Sequence, residues 1–180
     1  MPQPLTLADD LRNAIRIFPD FPQPGIQFKD FTPVFAQPRL VRRIAEHIGA
    51  AFDGEFDRVL AVEARGFILG TTLAAVADRP LALARKKGKL PGPVFRTEYR
   101  LAYGTATLEL QQDTLTPGER VLVVDDVLAS GGTLAAAAAL IAESRAEIAG
   151  YGVVTTIDGL GGTDRLAPAR VFSVIPEQQG

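Results

Sequence analysis

This chain predicts an α/β fold, a mostly parallel twisted sheet flanked by helices, and three observations carry that reading. Aliphatic runs suited to strands alternate with helix-forming stretches along the whole chain. The joins between them are short, which implies right-handed crossovers and ligands at the carboxyl ends of the strands. No internal repeat, low-complexity tract or linker divides the 180 residues, so one domain over 1–180 is expected. A chain of that length buries roughly 70% of its unfolded surface.

In order, Leu7, Leu11, Ala14 and Ile15 recur at helical spacing and Asp9-Asp10 puts acid in the first turn, so an amphipathic helix is expected over 5–17. The proline-rich stretch Phe18 to Pro24 stops it and opens a small hood segment that ends near residue 36, with the core over 37–180. A second helix is expected over Pro38 to Phe52, then strand Arg58 to Val62, a helix from Gly66 to Val76, and strand Leu81 to Ala84. Prolines at 91 and 93 and the alternating Thr107-Leu108-Glu109-Leu110 break the helical pattern and suggest a hairpin or hood-like excursion, with a flexible loop over about 91–110. Pro117-Gly118 turns into the strand Val121 to Val124. An alanine-rich helix then runs to about Glu147, and Tyr151 to Ile157 forms a further strand.

Composition excludes several function classes. Hydrophobic residues at 47% and charged residues at 22% are ordinary globular values, and a net charge of −2 leaves nucleic acid no electrostatic footprint. There is no cysteine, which rules out disulfide and thiol chemistry and fits a cytoplasmic protein. No apolar stretch is long enough to span a bilayer and no charged leader precedes an apolar core, so no membrane partner is expected. The single histidine, His47, lies on a helical stretch and takes no role.

The most informative run is Val121-Leu122-Val123-Val124-Asp125-Asp126-Val127-Leu128-Ala129-Ser130-Gly131-Gly132-Thr133. It joins a buried strand to paired carboxylates and then to a small-residue loop that opens a helix. At a helix start the first amides lack partners and the dipole is positive, so Ala129, Ser130, Gly131, Gly132 and Thr133 suit a phosphate monoester. Asp125 and Asp126, acceptors at the end of the strand, suit the vicinal hydroxyls of a ribose whose 5′-phosphate sits in that loop. They also suit positive charge developing on the sugar. Neither a Walker lysine nor an opening Gly-x-Gly-x-x-Gly is present.

Two further segments have anion chemistry. Glu63-Ala64-Arg65-Gly66 follows a strand and opens a helix, which aims amides and a guanidinium into the same crevice. Arg85, Lys86, Lys87 and Lys89, followed by Arg96, precede any acidic residue until Glu98, a local charge suited to pyrophosphate.

The run from Val121 to Thr133 resembles the phosphoribosyl diphosphate signature of the type I phosphoribosyltransferases. The segments Phe18 to Asp30, Glu63-Ala64-Arg65-Gly66-Phe67, Arg85 to Pro91, Leu101-Ala102-Tyr103-Gly104 and Asp158-Gly159-Leu160-Gly161-Gly162, in this order, are similar to the adenine-using branch of that family. The resemblance implies a type I phosphoribosyltransferase-like fold and a purine-salvage reaction. Adenine and phosphoribosyl diphosphate would give AMP and pyrophosphate, with Mg2+ held by the pyrophosphate and ribose rather than by the protein. It also implies that Ala64 and Arg65 meet the pyrophosphate beside a cis peptide, expected at Ala64–Arg65. Arg85, Lys86 and Lys89 would meet it too, partly across a homodimer.

Phe28 and Ile157 would sandwich the base, the backbone of Gln27 and Lys29 would read its edge, and Tyr103 would ride on a closing loop. The family commonly has arginine at position 29 and glutamate at position 102. Ala102 cannot exchange a proton with the base, which leaves Glu98, Glu109 or a water to substitute. Two alternatives stay open: a transferase for a 6-oxopurine, and a non-catalytic nucleotide sensor.

Overall fold

The computed structural model describes residues 5–100 and 104–176. Helix α1 (Leu7–Ala14) is fixed at its start by reciprocal capping, in which Asp9 N–H donates to Thr6 Oγ1 (3.2 Å) and Thr6 N–H to Asp9 Oδ2 (3.1 Å). It is shorter than the helix expected over 5–17. From Arg16 the chain becomes strand β1 (Arg16–Pro19), paired antiparallel with β2 (Gln27–Asp30) so that Phe18 stands opposite Phe28. This two-stranded hood was not legible as strands, because prolines flank it and its pairing partner is itself only four residues long.

Helices α2 (Thr32–Phe35) and α3 (Pro38–Ala51) lead to β3 (Arg58–Val62), α4 (Gly66–Ala77) and β4 (Leu81–Lys86). The excursion after β4 is a hairpin of β5 (Val94–Arg100) and β6 (Thr105–Gln111). Then come β7 (Arg120–Val124), β8 (Val127–Leu128), α5 (Gly132–Glu143), β9 (Glu147–Thr156), α6 (Gly162–Leu166) and β10 (Val171–Ile175).

The main sheet has the order β10-β9-β7-β3-β4-β6-β5, with β8 paired to β9 off this path. The pairs from β10 to β4 are parallel, and β6 and β5 add antiparallel strands at one edge. Both faces are covered, which is why the strands read as unbroken aliphatic runs. Successive residues serve opposite faces: Leu60, Val62, Val121 and Val123 pack with α5, whereas Val59, Leu122 and Val124 pack with α3 and α4.

Two boundaries differ from the sequence expectation for one reason. Helix α5 ends at Glu143 rather than near Glu147, since Arg145 turns left-handed (φ 60°) and the amides of Ala146 and Arg145 fold back onto Ile141 O (3.1 Å) and Ala142 O (2.9 Å). Glu147 is thereby free to pair with Arg120, and β9 starts four residues before Tyr151. Strand pairing outweighs the helix propensity of the segment.

The strand order reverses between β3 and β7. The chain leaves β3 for β4 on one side and later enters β7 on the other, with Ala61 opposite Val124. The carboxyl ends of β3 and β7 therefore border a crevice at a topological switch point.

Candidate functional site

At the end of β3, Glu63 N–H still donates to Ala84 O (3.0 Å), while Arg65 already has helical angles (φ −71°, ψ −30°) as the N-cap of α4. The cis peptide of this turn joins Glu63 and Ala64, one bond earlier than the expected Ala64–Arg65. Glu63 belongs to the strand ladder and Arg65 to the helix, so the reversal falls between Glu63 and Ala64. Gly66 then brings the start of α4 against β7: a Cβ there would stand 2.8 Å from Val124 O and 3.1 Å from Asp125 Oδ1.

Asp126 is buried and Asp125 half-buried at the end of β7. Asp126 N–H donates to Asp125 Oδ1 (2.9 Å), and Val154 and Thr155 N–H donate to Asp126 O (3.0 and 3.2 Å), which fixes the pair against β9. Burial and the neighbouring Asp126 charge push Asp125 well above its ordinary 3.8. Burial also raises Asp126, against the pull of Arg65. Arg65 Nε lies 2.8 Å from Asp126 Oδ2 but off the hydrogen-bonding direction, so this buried oxygen has an ionic neighbour and no aligned donor.

The same guanidinium reaches the hood. Arg65 Nη1 donates to Lys29 O (3.2 Å), and its carbon lies 5.4 Å from the Phe28 ring centroid and 5.6 Å from that of Phe31. The structure thus brings Arg65, Asp125, Asp126, Phe28 and Lys29 together. Phe31 was missed because a phenylalanine beside a polar turn reads as core, and it is indeed buried.

Lys29 turns its side chain to β9: Nζ donates to Thr155 Oγ1 (3.2 Å) and Thr156 O (3.4 Å). Burial lowers its pKa, opposed by the Asp158 charge. It lines a cavity of about 440 Å³ with Arg12, Ile15, Ile17 and Asp158, while Gln27 is exposed. Half-buried Ile157 lines a separate cavity of about 450 Å³ with Leu128, Ala129, Asp158 and Gly162.

The small-residue loop sits where expected, at the start of α5. Gly131 is the N-cap at φ 74°, a conformation that favours glycine, and Ala135 N–H donates to Gly131 O (2.9 Å). The amides of the first turn have no intrahelical acceptor. Ser130 is exposed, and Ala129 and Thr133 are half-buried. A second loop supports this one from behind: a Cβ at Gly162 would collide with Ala129 O, and Ile157 N–H donates to Leu128 O (2.8 Å). No motif pointed to Gly162 as a buttress; only the close backbone approach shows it.

In the basic turn after β4, the side chains of Lys86, Lys87 and Lys89 are exposed. Arg85 is held inward, with Nε 3.3 Å from Glu63 Oε2 and Nη1 donating to Lys89 O (3.1 Å). Lys86 N–H donates to the same Glu63 oxygen (2.9 Å). Glu63, to which the motif assigned no role, therefore ties the Ala64-Arg65 turn to the basic turn.

Glu98 is exposed on β5, opposite Thr107, and borders a cavity with Thr97, Gly132, Ala135 and Arg165. Glu109 does not suit the acid-base role considered for it. It is 1% exposed, and its two oxygens are engaged by Arg96 Nε (2.7 Å) and Gly88 N–H (2.9 Å). Leu101, Ala102 and Tyr103 lie outside the described residues.

The family model for the Phosphoribosyl transferase domain matches residues 33–178. The chain is 47% identical over 173 residues to an adenine phosphoribosyltransferase of Clavibacter michiganensis, covering 96% of this chain and 98% of the relative. The crystal structure of the Rhodothermus marinus adenine phosphoribosyltransferase matches with a TM-score of 0.86 and 44% identity over 93% of this chain and 97% of that one. That of the Saccharomyces cerevisiae enzyme, complexed with an imino-altritol bisphosphate and adenine, matches with a TM-score of 0.87 at 36% identity over 93% and 98%. Paired carboxylates and an arginine at the switch point, a glycine-capped loop opening α5, and likeness over nearly the full length agree: the chain belongs to the phosphoribosyltransferase family, among the adenine phosphoribosyltransferases.

Proposed function

We propose that this chain is a purine-salvage enzyme that transfers the 5-phosphoribosyl group of phosphoribosyl diphosphate to adenine, giving AMP and pyrophosphate. The observation that carries it is the meeting of Asp125, Asp126 and Arg65 in the β3/β7 crevice, beside Phe28 and the loop that opens α5. In the reaction the bond from C1′ to the pyrophosphate oxygen breaks, with its electron pair leaving on pyrophosphate. A bond from C1′ to N9 of adenine forms, and the N9 proton is released.

Asp125 and Asp126 accept hydrogen bonds from the ribose hydroxyls, for which the buried Asp126 Oδ2 without an aligned donor is a fitting acceptor. As the sugar becomes oxocarbenium-like, the same carboxylates stabilise its charge. Ala129 to Thr133 hold the 5′-phosphate through amides and hydroxyls. Ala64, Arg65, Arg85, Lys86 and Lys89 hold the leaving pyrophosphate. Phe28 and Ile157 flank the base, with the backbone of Gln27 and Lys29 at its polar edge, and Tyr103 helps to exclude water.

Mg2+ would be held by the pyrophosphate and ribose, as the family resemblance implies, with Asp125 and Asp126 binding the ribose hydroxyls beside it. When bound, it neutralises charge on the departing oxygens. The enzyme works as a homodimer in this reading. Helix α4 supports that, being apolar but for Thr71 and Thr72 and leaving Ile68, Ala75 and Val76 exposed, as a helix with a further partner would. Among the described residues no helix is long and apolar enough to cross a membrane. The same reading has the enzyme working in the cytoplasm, on the strength of the family resemblance alone.

The test is steady-state pyrophosphate release with phosphoribosyl diphosphate and Mg2+, comparing adenine, hypoxanthine and guanine. Release with adenine alone is the expected result. Release with a 6-oxopurine would overturn the base assignment, and AMP binding without release from any base would make the protein a sensor.

A further inference from the structure

Glu109 is a buried carboxylate that the proposed chemistry leaves unused, and its surroundings show what it does. It stands in the middle of a cross-strand row, with Arg85 of β4 on one side and Arg96 of β5 on the other. Its Oε1 accepts from Arg96 Nε (2.7 Å) and its Oε2 from the amide of Gly88 (2.9 Å), the left-handed residue (φ 76°) at the bend of the basic turn. Lys87 N–H donates to Thr107 O on the same strand (3.2 Å). From the opposite side Glu63 takes the amide of Lys86 (2.9 Å) and the Arg85 guanidinium (3.3 Å).

The turn is thus pinned through its backbone at two points, by two carboxylates, while the side chains of Lys86, Lys87 and Lys89 are exposed. Surface lysines on an unpinned loop would lose much of their binding energy in ordering the loop. A backbone fixed beforehand removes that cost.

We propose that Glu109 is a positioning residue for pyrophosphate: by holding the Gly88 amide it sets the basic turn in the geometry that receives the pyrophosphate of phosphoribosyl diphosphate. This rests on the reading of the basic turn as the pyrophosphate site. Arg96, 62% exposed, keeps Glu109 ionised inside the sheet edge and joins the turn to the β5–β6 hairpin.

The test compares Glu109→Gln and Glu109→Leu with a matched control, Glu119→Gln. Glu119 has the same chemistry, accepting from Arg58 Nε (2.7 Å) and the Thr116 amide (2.9 Å), but it sits just before β7, at the opposite end of the strands from the crevice. In Glu109→Leu the KM for phosphoribosyl diphosphate, and that for pyrophosphate in the reverse reaction, rise about tenfold or more, the order expected when a hydrogen bond to a charged group is lost. Glu109→Gln, which keeps one acceptor, is intermediate. The KM for adenine stays within about twofold, and Glu119→Gln moves none of the three.

Unchanged pyrophosphate constants in both Glu109 variants, or equal changes in Glu119→Gln, would overturn the proposal. Should the wild type transfer to no purine, the activity reading falls, yet calorimetric titration of pyrophosphate into the same variants still decides the role of Glu109. There, tenfold weaker binding in Glu109→Leu supports it and equal binding overturns it.

Discussion

Burial and the Asp126 charge oppose ionisation of Asp125, and that has a consequence for stability as well as for chemistry. Its pKa in the folded chain lies well above 3.8 for that reason. The native state therefore binds more protons than the unfolded chain above pH ~4, and stability falls as pH rises through that window. Asp125→Asn removes this cost. It should raise the Tm at pH 7.5, with the difference from wild type shrinking below pH ~4, while turnover drops by about 10²-fold or more. A variant no more stable at pH 7.5 would show that the carboxylate is not strained by its burial. Ala102 poses the converse question, since position 102 commonly carries glutamate in the family that the chain resembles. General acid-base assistance is typically worth about 10²–10⁴-fold. Ala102→Glu should thus raise kcat by tenfold or more, and an unchanged kcat would show that proton exchange with the base does not limit this enzyme.

At the scale of elements, the end of α5 decides where β9 can begin. Arg145 occupies the left-handed position that glycine normally fills, with the amides of Ala146 and Arg145 closing the helix onto Ile141 and Ala142. An L-residue pays roughly 1–2 kcal/mol there, partly offset by the entropy that glycine would lose. Arg145→Gly should therefore stabilise the protein by about 0.5–1 kcal/mol, read as a higher denaturant midpoint at constant m-value. A lower midpoint would mean that the Arg145 side chain contributes more than its backbone strain costs. The sequence offered no signal for this stop, having neither glycine nor proline at the position, which is why the helix was expected to continue to Glu147. The hood strands β1 and β2 were illegible for a related reason: four-residue strands exist through their pairing, and pairing is not a local property.

For the whole molecule, helix α4 is the telling element. Its inward side packs on β3 and α3 through Leu69, Gly70 and Leu73, yet Ile68 and Val76 on the outward side are 42% and 38% exposed. If that side meets a second copy, Ile68→Glu should move the protein in light scattering from twice the 19.2 kDa chain mass to once that mass. A mass that stays at twice the chain mass would put the contact elsewhere, and a wild type of single-chain mass would remove the dimer from the reading.

The strands β3, β4 and β7, the helix starts at Pro38 and Gly66, and the place of Asp125-Asp126 at a strand end before a small-residue loop were all legible in the sequence. Those features are local: a doubly covered strand needs four or five consecutive aliphatic residues, and a phosphate loop needs small residues at a helix start. Tertiary structure alone decided which groups meet. Arg65 reaches Asp126 because β3 and β7 are neighbours at the switch point, Lys29 spans 126 positions to Thr155, and Glu109 turns from a candidate proton donor into the anchor of Gly88. Contacts of that kind depend on strand order and register, which follow from how the whole hydrophobic pattern packs rather than from any one motif.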